Sequence, residues 1–159
     1  MLKHYPVTSA VRSLRAGKID FIPHLYRYEE HGGTHQAASV LNVPEHEVIK
    51  TLVMEVDSRW KLLVLMHGDR EVSTKQLARE LGVKRVSPCD QMSAEKYTGY
   101  KVGGISPFGT KKTLMVCVES SIMMLDKIFI NGGKQGFMVE IDSRDLEKAF
   151  QIKKVNVAV

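Results

Sequence analysis

The segment Ile49–His67, IKTLVMEVDSRWKLLVLMH, holds two apolar runs separated by Asp57-Ser58-Arg59. Runs of this length bounded by turn residues read as strands, and the short polar break between them reads as a hairpin. Lys50 is out of place there. Its neighbours Val48, Ile49, Leu52 and Val53 leave little exposed surface for a cation. A lysine so placed either snorkels to the rim or loses part of its hydration, and can then serve as a cation for a carbonyl or phosphate, or carry a proton. A strand-edge lysine in solvent is the plainer alternative.

Towards the N-terminus, Gly32-Gly33 breaks the chain and Thr34 caps a helix that packs Ala37, Ala38 and Leu41 and ends at Pro44. Phe21–Tyr28 reads as a strand with Ile22, His24, Tyr26 and Tyr28 on one face, and Pro23 confines it to a sheet edge or a strand start. Thr8 caps a helix through Ala16 that buries Val11 and Leu14 and stops at Gly17. Beyond the hairpin, Ser73 or Thr74 caps a helix with Leu77, Ala78 and Leu81 inward and Gly82 at its end. Val83–Val86 is a short strand, and Pro88 opens a helix reaching Tyr97. Leu114–Val118 is a strand, Ser120–Leu125 is helical, and Lys127–Ile130 pairs with Phe137–Ile141 around Gly132-Gly133. Asp142 or Ser143 caps a last helix to Phe150. Helices and strands interleave without strict alternation, which makes the chain α+β with a mixed sheet.

At 159 residues, one domain (1–159) is expected. Hydrophobic residues make up 43% and charged residues 26%, a balance that excludes a disordered chain. The longest apolar runs, Leu62–Met66 and Leu114–Val118, are far short of the roughly 20 residues a membrane helix needs. Met1–Ala10 lacks the apolar stretch of a secretory signal, and Cys89 and Cys117 are too few for a disulfide framework. A reducing, cytoplasmic location is the simplest expectation. The charge of 23 − 18 = +5 is a weak pointer to a polyanion such as nucleic acid.

Metal and nucleophile patterns are thin. His31 and His35 straddle Gly32-Gly33 and have no further ligand at the usual spacing, so no metal site is expected. Cys117 sits in an apolar run and behaves as a small hydrophobe; Cys89, at a helix start, has no base placed near it. The glycine segments say more. Gly103-Gly104-Ile105-Ser106-Pro107-Phe108-Gly109 is followed by Lys111-Lys112, and Asn131-Gly132-Gly133-Lys134 repeats the theme. Paired glycines let successive N–H groups point into one concavity, a site for an anion or a developing oxyanion. Neither segment matches a nucleotide-phosphate motif. Read from composition alone, both are equally tight turns between strands.

Val48-Ile49-Lys50-Thr51-Leu52, the long word from Thr98-Gly99-Tyr100 through Gly109 with Lys111-Lys112, and Gly132-Gly133-Lys134-Gln135-Gly136 together resemble the YbaK/EbsC family. These are free-standing relatives of the editing domain of bacterial prolyl-tRNA synthetases, and the resemblance runs from about Ser9 to Phe150. It implies a barrel-like mixed sheet surrounded by helices and a trans-editing hydrolase that cleaves the aminoacyl ester of mischarged tRNA. The long glycine word is most similar to the branch that removes cysteine from prolyl-tRNA. On the resemblance, Lys50 with Gly103 and Gly104 forms the catalytic group. Lys50 orients the substrate through its phosphate or carbonyl, and glycine main chain cradles the ester. His24, Tyr26, Thr51, Ile105, Ser106, Pro107, Gly132, Gly133 and Met138 bind substrate. Lys111, Lys112 and Lys134 meet the tRNA acceptor end. In that branch the substrate's own thiol is thought to attack the carbonyl, which accounts for the missing protein nucleophile. No cofactor is implied; the partners are tRNA and, beside it, prolyl-tRNA synthetase.

The chain departs from the pattern at two places. YbaK-type relatives carry an aspartate where this chain reads Met138, within Gly136-Phe137-Met138-Val139-Glu140, and an aromatic near Gly33 that is missing here. Relatives that edit alanine typically have Asn where Thr51 stands. Three alternatives stay open: a deacylase for Ala or Ser, a non-catalytic module binding tRNA or prolyl-tRNA synthetase, and a hydrolase of small esters.

Overall fold

The computed structural model describes residues 4–159; Met1–Lys3, on which part of the reading of the N-terminus rests, lie outside the described residues. Among these, eight strands form one mixed sheet in the order β1-β7-β6-β2-β3-β5-β8, with β4 on β2. The hairpin of Val48–Val56 (β2) and Trp60–His67 (β3) is the middle of that sheet and pairs from Ile49–His67 to Val56–Trp60. Asp57 and Ser58 take positive φ in its turn, as a tight connection between twisted strands requires.

Two strands share the outer edge of β2. Lys127–Lys134 (β6) runs parallel to it and pairs only at Val48–Phe129 and Ile49–Ile130. Val86–Pro88 (β4) pairs antiparallel at Met54–Val56. Between these rungs, residues 50–53 have no strand on that edge. β6 continues into an antiparallel partner, Phe137–Asp142 (β7), and β7 into Ile22–Leu25 (β1). On the other side β3 takes Met115–Glu119 (β5) in parallel, and β5 takes Ile152–Val155 (β8). The sheet is open: β1 and β8 are its two ends and do not pair, so it curves without closing as a barrel.

Alternation along β2 divides the core. Ile49 and Val53 face a large cluster with Val11 and Leu14 of Ser9–Ala16 (α1), Ala94 of Gln91–Thr98 (α4), and Phe108. The opposite face is covered in two parts. Ala37 and Ala38 of Gly33–Leu41 (α2) pack on Val48, Phe129 and Met138. Leu77 and Ala78 of Thr74–Leu81 (α3) pack on Met54, Val56 and Leu62. Lys50 belongs to this second face, between the two covered patches.

Boundaries follow side-chain caps. Thr8 accepts from the Val11 amide, Ser73 from Gln76 and Asp90 from Ser93, each closing a free helix N-terminus. Pro88 therefore belongs to β4, not to α4. The helix expected from Thr34 starts at Gly33 after Gly32 and ends at Leu41, where Asn42 turns left-handed at φ 56°. The expected strand Phe21–Tyr28 stops at Leu25, because its partner β7 begins at Phe137 and Tyr26 reaches only the Gly136 carbonyl. The expected helix to Phe150 is a 3-10 turn, Ser143–Asp145, running into Leu146–Ala149 (α5).

Candidate active site

At the point where β2 and β6 part, Lys50 and Asn131 follow directly on the last shared rung, Ile49–Ile130, and lie on the same face. Register extends this row across the sheet: Asn131 pairs with Met138, and Met138 with His24. Lys50, Asn131, Met138 and His24 thus form one line over β2, β6, β7 and β1. Met138 is 4% exposed, in a wall with Phe129, Tyr26 and Leu41. His24 lies 5.5 Å from the Phe129 ring, and its Nε2 is 2.9 Å from Glu140 Oε1. Burial, and then the neighbouring Tyr28, push the Tyr26 phenol above its ordinary value, so it stays protonated.

The two glycine bends interlock beside this row. Asn131 Nδ2 donates to the Gly103 carbonyl at 3.3 Å, and Gln135 Nε2 donates to the Val102 carbonyl at 2.8 Å. Gly104 is pressed against the main chain at Lys134–Gln135, where a Cβ would come within 2.6 Å of the Gln135 nitrogen. Thr8 Oγ1, while capping α1, also donates to the Gly132 carbonyl, so α1 holds the second bend in place.

Donor by donor, the expected amide cradle is only partly free. The Gly104 N–H closes a turn on the Lys101 carbonyl at 2.8 Å. The Gly133 and Lys134 amides both donate to Asn131 Oδ1, at 2.6 and 3.1 Å, as an asparagine before a turn does. Among the described residues the amides of Gly103 and Ile105 donate to no protein acceptor, which leaves them free for an incoming oxygen. Ser106 is fully buried, its Oγ accepting from the Phe108 amide at 3.1 Å, and Pro107 is buried beside it. Both build the floor of the loop and present no open surface.

Lys50 is partly covered, 19% exposed, and its Nζ lies 3.3 Å from Oε1 of the exposed Glu71. The loop that carries this carboxylate is tied to the C-terminal tail: Glu71 and Val159 exchange two main-chain hydrogen bonds, and the Ser73 amide donates to the Val157 carbonyl. Thr51 faces the other way. Alternation puts it on the α1 side of β2, with its Oγ1 buried and unpartnered.

The three lysines expected at an acceptor end are spread out. Lys134 closes β6 beside Gly104, and Lys111 packs against Gly99. Lys112 lies over the Tyr97 ring at 5.3 Å, together with Lys61 at 5.2 Å. Lys61 pairs with Glu55, five residues along β2 from Lys50 or about 17 Å. Lys112 therefore stands apart from the row.

Neither thiol is activated. Burial raises Cys117 to about 11, and burial likewise raises Cys89, whose helix is capped by the Asp90 carboxylate instead. One group of metal-ligand side chains is present: His46, His67 and Asp69. Its geometry is that of a hydrogen-bonded stack. The two imidazoles lie 3.7 Å apart and 6° from parallel, and both His67 nitrogens are engaged, by the His46 carbonyl and by Ser121 Oγ.

Sequence reasoning passed over Asn131, Glu71, Glu140 and Tyr28. Asn131 alone had a local signal, its place before Gly132-Gly133. Glu71 and Glu140 take their roles from long-range register. Tyr28 Oη would stand 2.4 Å from a Cβ on Gly103, so it closes the first bend from outside.

Residues 29–149 match the aminoacyl-tRNA editing domain family. The chain is 27% identical over 135 residues to EbsC of Enterococcus faecalis, named as a Cys-tRNA(Pro)/Cys-tRNA(Cys) deacylase, covering 84% of this chain and 82% of that one. It is 26% identical over 111 residues to the proline–tRNA ligase of Brachyspira hyodysenteriae, covering 70% of this chain but 19% of the ligase. Among solved structures, a protein described as a trans-editing enzyme for prolyl tRNA synthetase superposes with a TM-score of 0.83 at 16% identity, over 99% of both chains, which shows the shared fold.

Proposed function

Because the chain belongs to the aminoacyl-tRNA editing domain family, whose members hydrolyse the ester between amino acid and tRNA, we propose that its substrate is Cys-tRNA(Pro) and that the ester is held where β2 and β6 part. The observation that carries this reading is the unpaired edge of residues 50–52, between the β6 rungs and the Cys89–Val53 hydrogen bond that precedes the β4 rungs. That edge is flanked by Lys50 on one side and by the interlocked bends 101–105 and 131–135 on the other. An aminoacyl ester is already reactive, so the protein's share is positioning and oxyanion stabilisation. The Gly103 and Ile105 amides donate to the carbonyl oxygen as it gains charge. Lys50 leaves Glu71 for the ester or the terminal phosphate, an exchange of one exposed carboxylate for another anion.

With no activated thiol or hydroxyl in place, attack comes from the substrate or from water. In the cysteinyl case the substrate thiol gives up its proton as its sulfur bonds to its own carbonyl carbon, the bond from that carbon to the ribose 3′ oxygen breaks, the leaving oxygen takes the proton, and water then opens the thiolactone to free cysteine. Lys134 and Lys111 then lie where the acceptor strand leaves the bends. Met138 favours a second reading of the amino acid. The wall at that position is a thioether among apolar groups instead of a carboxylate, which suits Ala as well as Cys.

The test is release of amino acid from Cys-, Ala- and Ser-charged tRNA(Pro) by the purified chain. Turnover of Cys-tRNA(Pro) above the others supports the first reading, and preference for Ala-tRNA(Pro) the second. No turnover of any of them overturns the proposal.

A further inference from the structure

Away from the row, α3 and β4 enclose an open groove of about 690 Å³ whose charged lining residues are all cationic, with Thr74 and Ser87 as its neutral polar groups. Lys75 and Arg79 line it from α3, and Lys84 and Arg85 from the segment leading into β4; Ser87 and Pro88 form its far end. The carboxylates of Asp57 and Glu80 form no ion pair with these four cations. Asp57 Oδ1 accepts from the Arg85 main-chain amide at 2.8 Å, and Glu80 accepts from Gln76 and the Asn156 amide. Among the described residues none of the four cations takes part in an ion pair. Four unpaired cations facing one groove repel each other, an arrangement that a polyanion relieves.

The groove's place in the fold gives it a direction. Pro88 pairs with Met54, and the next residue, Cys89, donates to the Val53 carbonyl, the last backbone group before the unpaired edge. Along β2 the groove therefore begins about 13 Å from Lys50 at Pro88 and extends to about 20 Å at Val86 and about 23 Å at Arg85. It lies on the same face of the sheet as Lys50, since Leu77 and Ala78 of α3 cover Met54 and Val56.

We propose that this groove binds the phosphate backbone of the tRNA body, a second contact that follows from the deacylase reading and holds the acceptor strand while its acylated end occupies the parting of β2 and β6. Phosphate contacts of this kind carry no sequence information. They set register and add affinity that falls with salt.

Two double variants that remove the same charge test it: Arg79→Gln/Arg85→Gln in the groove, and Lys153→Gln/Lys154→Gln on β8 at the far end of the sheet. Binding of uncharged tRNA is followed between 50 and 200 mM salt, with thermal melting as the check on folding. The groove pair weakens binding about tenfold and flattens the slope of log affinity against log salt by about 1.5, while the β8 pair leaves both near wild type. Equal weakening by the two pairs, or none by either, overturns the groove as the contact. Hydrolysis of charged tRNA by the wild-type chain is measured alongside. Its absence overturns the deacylase reading, and its presence with equal pairs overturns the groove alone.

Discussion

Asn131 joins the two glycine bends to each other: its amide nitrogen donates to the Gly103 carbonyl at 3.3 Å, while its oxygen accepts from Gly133 at 2.6 Å. One side chain thus sets the distance between loops separated by 28 residues of sequence. It does so at the strand position next to Lys50.

Replacing Asn131 with Ala removes three hydrogen bonds and leaves the Gly133 amide, which is partly buried, without its acceptor. The expected loss of stability is about 1–3 kcal/mol. Deacylation falls further than stability does, because the free Gly103 and Ile105 amides lose their fixed distance from Lys50. Asn131→Asp keeps the acceptor but not the donor, so its stability loss is smaller. Chemical denaturation together with kcat/KM on charged tRNA checks both variants. Equal activity in wild type and Asn131→Ala would show that the bends hold each other without it.

The Lys50–Glu71 pair at 3.3 Å has one partner 80% exposed, and pairs of that kind contribute little to stability. Lys50→Ala is therefore expected to melt within a few degrees of wild type. It should lose about 100-fold or more in kcat/KM, the scale of removing one preorganised charge at an oxyanion. Glu71→Gln should also fold normally and should lower KM at low salt, since the lysine no longer exchanges one carboxylate for another. If Lys50→Ala retains full activity, the cation has no part in the reaction.

Gly103 has φ +91°, a conformation that L side chains rarely adopt, and Tyr28 Oη would clash with a Cβ there at 2.4 Å. Gly103→Ala combines both penalties and is expected to lower stability by more than 1 kcal/mol and to abolish turnover. Tyr28→Ala on that background relieves the clash but not the φ, so the double variant regains part of the stability. Full additivity in a double-mutant cycle would show that the two residues do not meet.

The central hairpin, the caps at Thr8 and Ser73 and both glycine bends were legible because each is written in local chemistry, whereas Thr34 and Pro88 do not start their helices, which Gly32 and Asp90 precede. Apolar runs around Asp57-Ser58-Arg59, Thr8 and Ser73 before amphipathic turns, and paired glycines all act within a few residues. What escaped is long-range. Ile152–Val155, with two lysines among four residues, becomes strand β8 because β5 offers it a parallel partner, with Lys153 and Lys154 left exposed. Val86–Pro88 is displaced from the expected Val83–Val86 because register with Met54–Val56, not β-propensity, sets its ends. Lys50 could be singled out as an anomaly, but its separation from Thr51 by the pleat, and from Lys112 by the length of the hairpin, depends on strand geometry that no motif encodes. The cationic groove is the same case. Lys75, Arg79, Lys84 and Arg85 look like ordinary solvated charges until α3 folds against β4.

His67 offers a last prediction, on pH. It lies buried at the end of β3, its Nδ1 placed to donate to the His46 carbonyl and its Nε2 to accept from Ser121, both at 2.7 Å. Both bonds suit the neutral ring, and burial, opposed by the His46 carbonyl, holds its pKa below the ordinary value. In the unfolded chain the imidazole takes a proton near pH 6.5, so below that pH the unfolded state binds more protons than the folded one. This contribution to stability is complete above about pH 6.5 and is lost as pH falls towards the lower folded value, with a slope of at most about 1.4 kcal/mol per pH unit. The window above pH 5 separates it from the carboxylates, of which Asp142 is drawn down to about 2 by Arg144. Denaturant titrations at pH 7.5, 6.5 and 5.5 should show wild-type stability falling through this range. His67→Gln, which cannot be protonated, should lose stability throughout but show a flatter pH profile; parallel profiles would place the wild-type slope on another group.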